Sequence, residues 1–127
     1  MEKDNTVNFD NAVRLKRLGY NTSSPKFYDK FGDIMQSYAI DISSELLWYV
    51  PSANQVFEFL KTTYHVVWWL TPSMWDVDDL IKGRKTNVCW FFRSSADTGV
   101  VDGTDYNKVL NDGISRILDY IEKNNVQ

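Results

Sequence analysis

The chain reads as an α+β protein: a small, largely antiparallel sheet of about four strands packed with three helices, in the order α-ββ-α-β-β-α. Three observations predict it. From Thr104 to Lys123, the run TDYNKVLNDGISRILDYIEK spaces Tyr106, Val109, Leu110, Ile114, Ile117, Leu118 and Ile121 by threes and fours, on one side of a helix. Two tryptophan-bearing runs, VVWWL and VCWFFR, read as strands. Two further helical stretches and a hairpin precede them, a pattern that suits an α+β layer arrangement. At 127 residues the whole chain, 1–127, is expected to be one domain, with residues 1–6 a frayed tail.

Each element has its own reason. Thr6 or Asn8 can cap a first helix over NFDNAVRLKRL, whose apolar side is Phe9, Ala12 and Val13 with Leu15 and Leu18, and Gly19 stops it. The polar NTSSP is a loop. Short extended runs around Lys26–Asp29 and Ile34–Tyr38 flank a turn at Gly32-Asp33, which makes a hairpin. Residues 39–50 fit a loop with a helical turn as well as the end of a strand, and the pattern does not separate the two. Pro51-Ser52 opens a second helix. Ser52 and Gln55 have capping-box spacing, and Ala53, Val56, Phe57, Leu60 and Tyr64 face inward, with Phe59 off that face. After His65 comes VVWWL, ended by Thr71-Pro72. The connection Thr71–Asn87 carries Met74, Trp75, Val77, Leu80 and Ile81, enough apolar residues to pack in part. VCWFFR runs from Val88 to Arg93, and SSADTGVVDG leads into the closing helix, which Thr104 or Asp102 can cap. Burying the stripe of that helix contributes roughly 10–20 kcal/mol gross, an upper bound. Gly113 lies on the stripe, where close helix-to-sheet packing is expected. On that reading Gly113→Leu unfolds or loosens the protein and Gly113→Ala is mild.

Composition sets limits on function. A hydrophobic share of 43% supports a real core, and 24% charged residues is ordinary for a globular chain. A net charge of −3 and a pI near 5.0 weigh against nucleic acid as the default partner, because phosphate binding needs concentrated basic surface. The run Lys82-Gly83-Arg84-Lys85 is short and follows Asp76, Asp78 and Asp79. Cys89 is the one cysteine, so no intrachain disulfide framework exists. With a polar amino end and no apolar run near the ~20 residues of a bilayer span, no membrane association and a cytoplasmic address are expected.

No catalytic, metal, cofactor or small-molecule site is expected. His65 stands alone as a histidine and fits a polar cap at the end of the second helix. Cys89 lies in a core strand, where thiols are usually inert. The aspartates at 76, 78 and 79 lack the glycine and the later glutamate of a calcium loop. The glycines at 99, 103 and 113 are too widely spaced for a phosphate cradle.

The two strong strands carry the functional signal. A half-buried antiparallel strand alternates apolar with polar residues, and neither of these does. Val66, Trp68 and Leu70 alternate with Val67 and Trp69. Val88, Trp90 and Phe92 alternate with Cys89 and Phe91. Either helices cover both faces of the sheet, or one face meets a partner: another protein, or a second copy across a twofold axis. The candidate surface is Trp48, Tyr49, Trp69, Trp75 and Phe91. An aromatic sheet face also suits a single-stranded nucleic-acid accessory protein, in which bases stack on the rings, and this is the alternative.

Three stretches together resemble a family of small proteins of gut bacteria and their phages or prophages. AVRLKRLGYN is similar to its early helix, an alanine and a leucine-lysine run ending in glycine-aromatic. SANQVFEFLKTTYHVVWWL resembles its middle helix, with Phe59-Leu60-Lys61-Thr62 where the family has a Trp-Leu-Arg-Glu-like core. YNKVLNDGISRILDYI resembles its closing helix, with Val109-Leu110-Asn111-Asp112-Gly113 in place of an Ala-Leu-Glu-x-Gly pattern. The resemblance implies a mobile-element origin and a compact α+β fold, and it implies no catalytic residue and no cofactor.

Overall fold

The computed structural model describes residues 6–22, 24–36, 48–72, 89–96 and 98–125. Its elements are α1 (Phe9–Arg17), β1 (Lys26–Tyr28), β2 (Ile34–Gln36), β3 (Trp48–Tyr49), α2 (Ala53–Tyr64), β4 (Trp68–Pro72), β5 (Trp90–Ser94), β6 (Val101–Gly103) and α3 (Tyr106–Asn125). This is the expected α+β mixture, and among the described residues every strand pairing is antiparallel. The strands form two three-stranded sheets, ordered β2-β1-β3 and β4-β5-β6. The added strands, β3 and β6, are two and three residues long, too short for alternation to mark them in a sequence. The chain divides into two compact units, Met1–His65 and Val66–Gln127, with one sheet in each.

In the first unit, Asn8 caps α1 by accepting from the Asn11 amide at 3.0 Å. The chain entering that helix is tied down on two sides. The Val7 amide donates to the Pro51 carbonyl at 2.9 Å, and the buried Tyr28 hydroxyl donates to the Val7 carbonyl at 2.7 Å. Ala12, Tyr28 and Val50 form a buried cluster with Phe9 and Trp48 at its margin. Phe9 stands edge-on to Tyr28 and to Trp48, with ring centroids 5.5 and 5.3 Å apart. The predicted hairpin forms around Asp29, whose carboxylate accepts from the amides of Phe31 (2.9 Å) and Asp33 (3.0 Å). Gly32 sits in that turn at φ 83°, a conformation glycine adopts without steric cost.

The capping box predicted for α2 is present. Ser52 Oγ accepts from the Gln55 amide and Gln55 Oε1 from the Ser52 amide, at 3.2 and 3.1 Å. Ala53, Val56 and Leu60 are buried, as their spacing predicts. Phe59, off the inward face by spacing, packs edge-on between Tyr20 and Tyr64. His65 then ends the helix in the left-handed conformation at φ 60°.

Burial raises the phenol pKa of Tyr28, and raises that of Tyr20 by more than a hydrogen bond with Thr22 lowers it. The unfolded chain therefore sheds these protons first as alkali is added. The stability they hold is complete below about pH 10 and is lost as pH rises through the folded values. Urea midpoints are expected to hold up to about pH 10 and to fall as pH rises above it, and Tyr28→Phe is expected to flatten that fall. A wild-type midpoint that stays constant there would contradict the linkage.

In the second unit, α3 lies on the sheet through β5 and β6. Val109, Leu110, Ile114, Ile117, Leu118 and Ile121 are all buried, so the predicted stripe is the packed face. The helix begins at Tyr106, two residues after the predicted start. Its capping side chain is therefore Asp105 rather than Thr104 or Asp102: the carboxylate accepts from the Lys108 amide at 3.2 Å. Beneath the helix, Trp68 stacks on Phe92 at 5.2 Å and Tyr106 meets Trp90 edge-on at 4.9 Å.

Candidate functional site

The pleat of the second sheet sorts its residues onto two faces. Phe92 marks the covered one, because α3 brings Gly113 directly onto its ring. Trp68, Leu70 and Trp90 share the parity of Phe92 across the ladder, in which Leu70 pairs with Phe92, Trp68 with Ser94 and Pro72 with Trp90. Helix packing therefore accounts for Trp68, Leu70, Trp90 and Phe92 of the two strong strands.

The opposite face carries Trp69, Thr71, Phe91, Arg93 and Asp102. In register, Trp69 lies opposite Arg93, Thr71 opposite Phe91, and Phe91 opposite Asp102. Trp69 is 45% exposed, which is rare for the largest apolar side chain. Phe91 is half-buried. The Arg93 guanidinium lies 5.6 Å from the Phe91 ring centroid, in cation–π range, and is otherwise open to solvent. The face is thus an aromatic surface with one cation laid on it and one carboxylate beside it.

The other predicted surface residues fall elsewhere. Trp48 and Tyr49 form β3 of the first sheet, where Trp48 is half-buried, packs against Phe9 and has Lys16 Nζ 5.6 Å from its ring. Trp48 is thus a packing residue at the edge of a core. Trp75 lies outside the described residues, as do the aspartates at 76, 78 and 79 and the basic run at 82–85. Of the five, the structure sets Trp69 and Phe91 on one face. Reading aromatic residues alone misses Arg93 and Asp102. Arg93 is legible in the strand period, two residues after Phe91. Asp102 is not, because only pairing with β5 brings it there. Sequence reading also passes over Phe31, Ile34 and Met35, exposed apolar residues of the first hairpin.

Among the described residues, no group of three or more histidine, cysteine or acidic side chains is placed to hold a metal ion, and no helix is long and apolar enough to cross a membrane. His65 is exposed at the end of α2, and Cys89 is half-buried with a free thiol. Compared with known proteins, the chain has no significant match to a family model, a curated protein or a solved structure.

Proposed function

We propose that this is a non-catalytic protein of phage or prophage type that works in the cytoplasm by protein–protein binding or self-association, through the outer face of its second sheet. One observation carries the reading: Trp69 stands exposed beside half-buried Phe91 and Arg93 while the opposite face is already covered by α3. Tryptophan, aromatic neighbours and arginine are the side chains that concentrate binding energy at protein interfaces. The resemblance to small mobile-element proteins supports the same kind of role, since it implies no catalytic residue.

A photo-reactive benzophenone amino acid at position 69 tests this. On illumination in expressing cells, protein adducts are expected from position 69 and few from position 31, where Phe31 is also exposed. Equal labelling from both positions, or adducts with nucleic acid alone, would overturn the proposal. The second outcome would favour the single-stranded nucleic-acid reading.

A further inference from the structure

Resting on the binding reading above, we propose that the partner seated on this face is a second copy of the chain, held by a twofold axis that sets each Arg93 against Asp102 of the partner subunit. Among the described residues the face carries one cation and one anion, both exposed, on the adjacent strands β5 and β6. Among the described residues neither has an ion-pair partner. They cannot be direct cross-strand neighbours, because the residue opposite Asp102 is Phe91, two positions before Arg93. They stand as diagonal neighbours on one face, and no ion pair joins them, so both charged groups are open to a partner.

A twofold axis makes a mixed-charge face self-complementary: if residue i of one copy meets residue j of the other, j also meets i. An axis lying in the interface midway between Arg93 and Asp102 produces two equivalent ion pairs. Phe91 lies close to that axis, between the two charges in register, so the two Phe91 rings meet at the centre of the contact. Each Arg93 keeps its aromatic platform, and its planar fork is left to take a carboxylate edge-on. The result is an aromatic centre flanked by matched charges, the usual anatomy of a specific interface.

Other occupants fit less well. A nucleic-acid strand presents successive phosphates, and this face offers one arginine with a carboxylate beside it. An acidic or basic protein would leave Asp102 or Arg93 facing a like charge. A face whose charges balance within itself is best met by its own copy.

The charges can be exchanged. R93D places two carboxylates on the face and D102R two cations, so each variant alone is expected to raise the dimer dissociation constant at least ~10-fold. Mixing the two is expected to form a heterodimer, because every contact then pairs opposite charges, and the double exchange R93D/D102R is expected to dimerise with itself. Light scattering coupled to size exclusion reads the wild type, both single variants, their mixture and the double exchange. Complementation in the mixture also shows that each variant is folded. A wild-type chain that stays monomeric at tens of micromolar, single variants that dimerise like the wild type, or a mixture that fails to pair would each overturn the proposal. Position-69 adducts to a different protein from a monomeric chain would overturn the second copy and leave the binding reading standing. The absence of any adduct would remove both.

Discussion

Gly113→Leu is expected to abolish the packed form of the second unit, and even Gly113→Ala to lower stability by about 2 kcal/mol. A Cβ at position 113 would lie 2.3 Å from Cγ and Cδ1 of Phe92 and 2.5 Å from Cδ2, against about 3.5–4.0 Å for an ordinary carbon contact. The ring cannot simply swing aside. It is buried beneath α3 and stacked on Trp68. Overpacking of this kind costs about 3 kcal/mol at the upper end of its usual range. Alanine regains about 1 kcal/mol of helix propensity, which leaves the net loss. The sequence leads one to expect close helix-to-sheet packing at Gly113 and a mild alanine substitution, because it does not say which side chain lies opposite or how near. The sheet reverses that expectation: the missing side chain is what lets helix and ring meet. Thermal melts followed by near-ultraviolet circular dichroism check it. Pairing Gly113→Ala with Phe92→Leu is expected to recover part of the loss, since the two residues share one contact. A Gly113→Ala variant that melts with the wild type would show that the helix sits higher on the sheet.

Phe27→Ala is expected to cost about 3–5 kcal/mol, comparable with the whole stability of a marginal domain. Phe27 is buried at the centre of the first sheet, opposite Met35 on one side and Tyr49 on the other. Its flanking strands are three and two residues long, so few ladder hydrogen bonds hold them if the side chain is lost. Phe27→Leu keeps most of the volume and is expected to cost under about 1.5 kcal/mol. Urea unfolding measures both, and amide exchange at Lys26–Tyr28 and Ile34–Gln36 locates the effect. An alanine variant with the wild-type midpoint would mean that this strand contributes little to the core.

How legible the molecule is in its sequence varies with length and period. The predicted stripe from Tyr106 to Ile121 repeats over several turns: its residues from Val109 onward are buried and Tyr106 is half-buried, while Asn111, off the stripe by spacing, is buried as well. The capping box at Ser52 and Gln55 and the turn at Gly32-Asp33 are short-range chemistry, and they form as read. Boundaries are less legible. The cap of α3 moves to Asp105 because two or three polar residues before the helix could each serve, and only the entry of the chain from β6 chooses among them. For the candidate site, Trp69 and Phe91 can be found as unexplained aromatics in double-faced strands. Arg93 follows from the strand period, two residues after Phe91, but Asp102 becomes visible only through pairing, because it lies on another strand and reaches this face as the register partner of Phe91.

The order of residues was enough to place the three helices and the longer strands and to say which side of each helix is apolar, since propensity, capping and periodicity act over a few neighbours. The tertiary structure alone decided that the strands divide into two sheets, that α3 takes the Phe92 face rather than the Trp69 face, and that Gly113 admits no side chain. Those outcomes depend on contacts between residues remote in sequence, where shape and not pattern selects the arrangement.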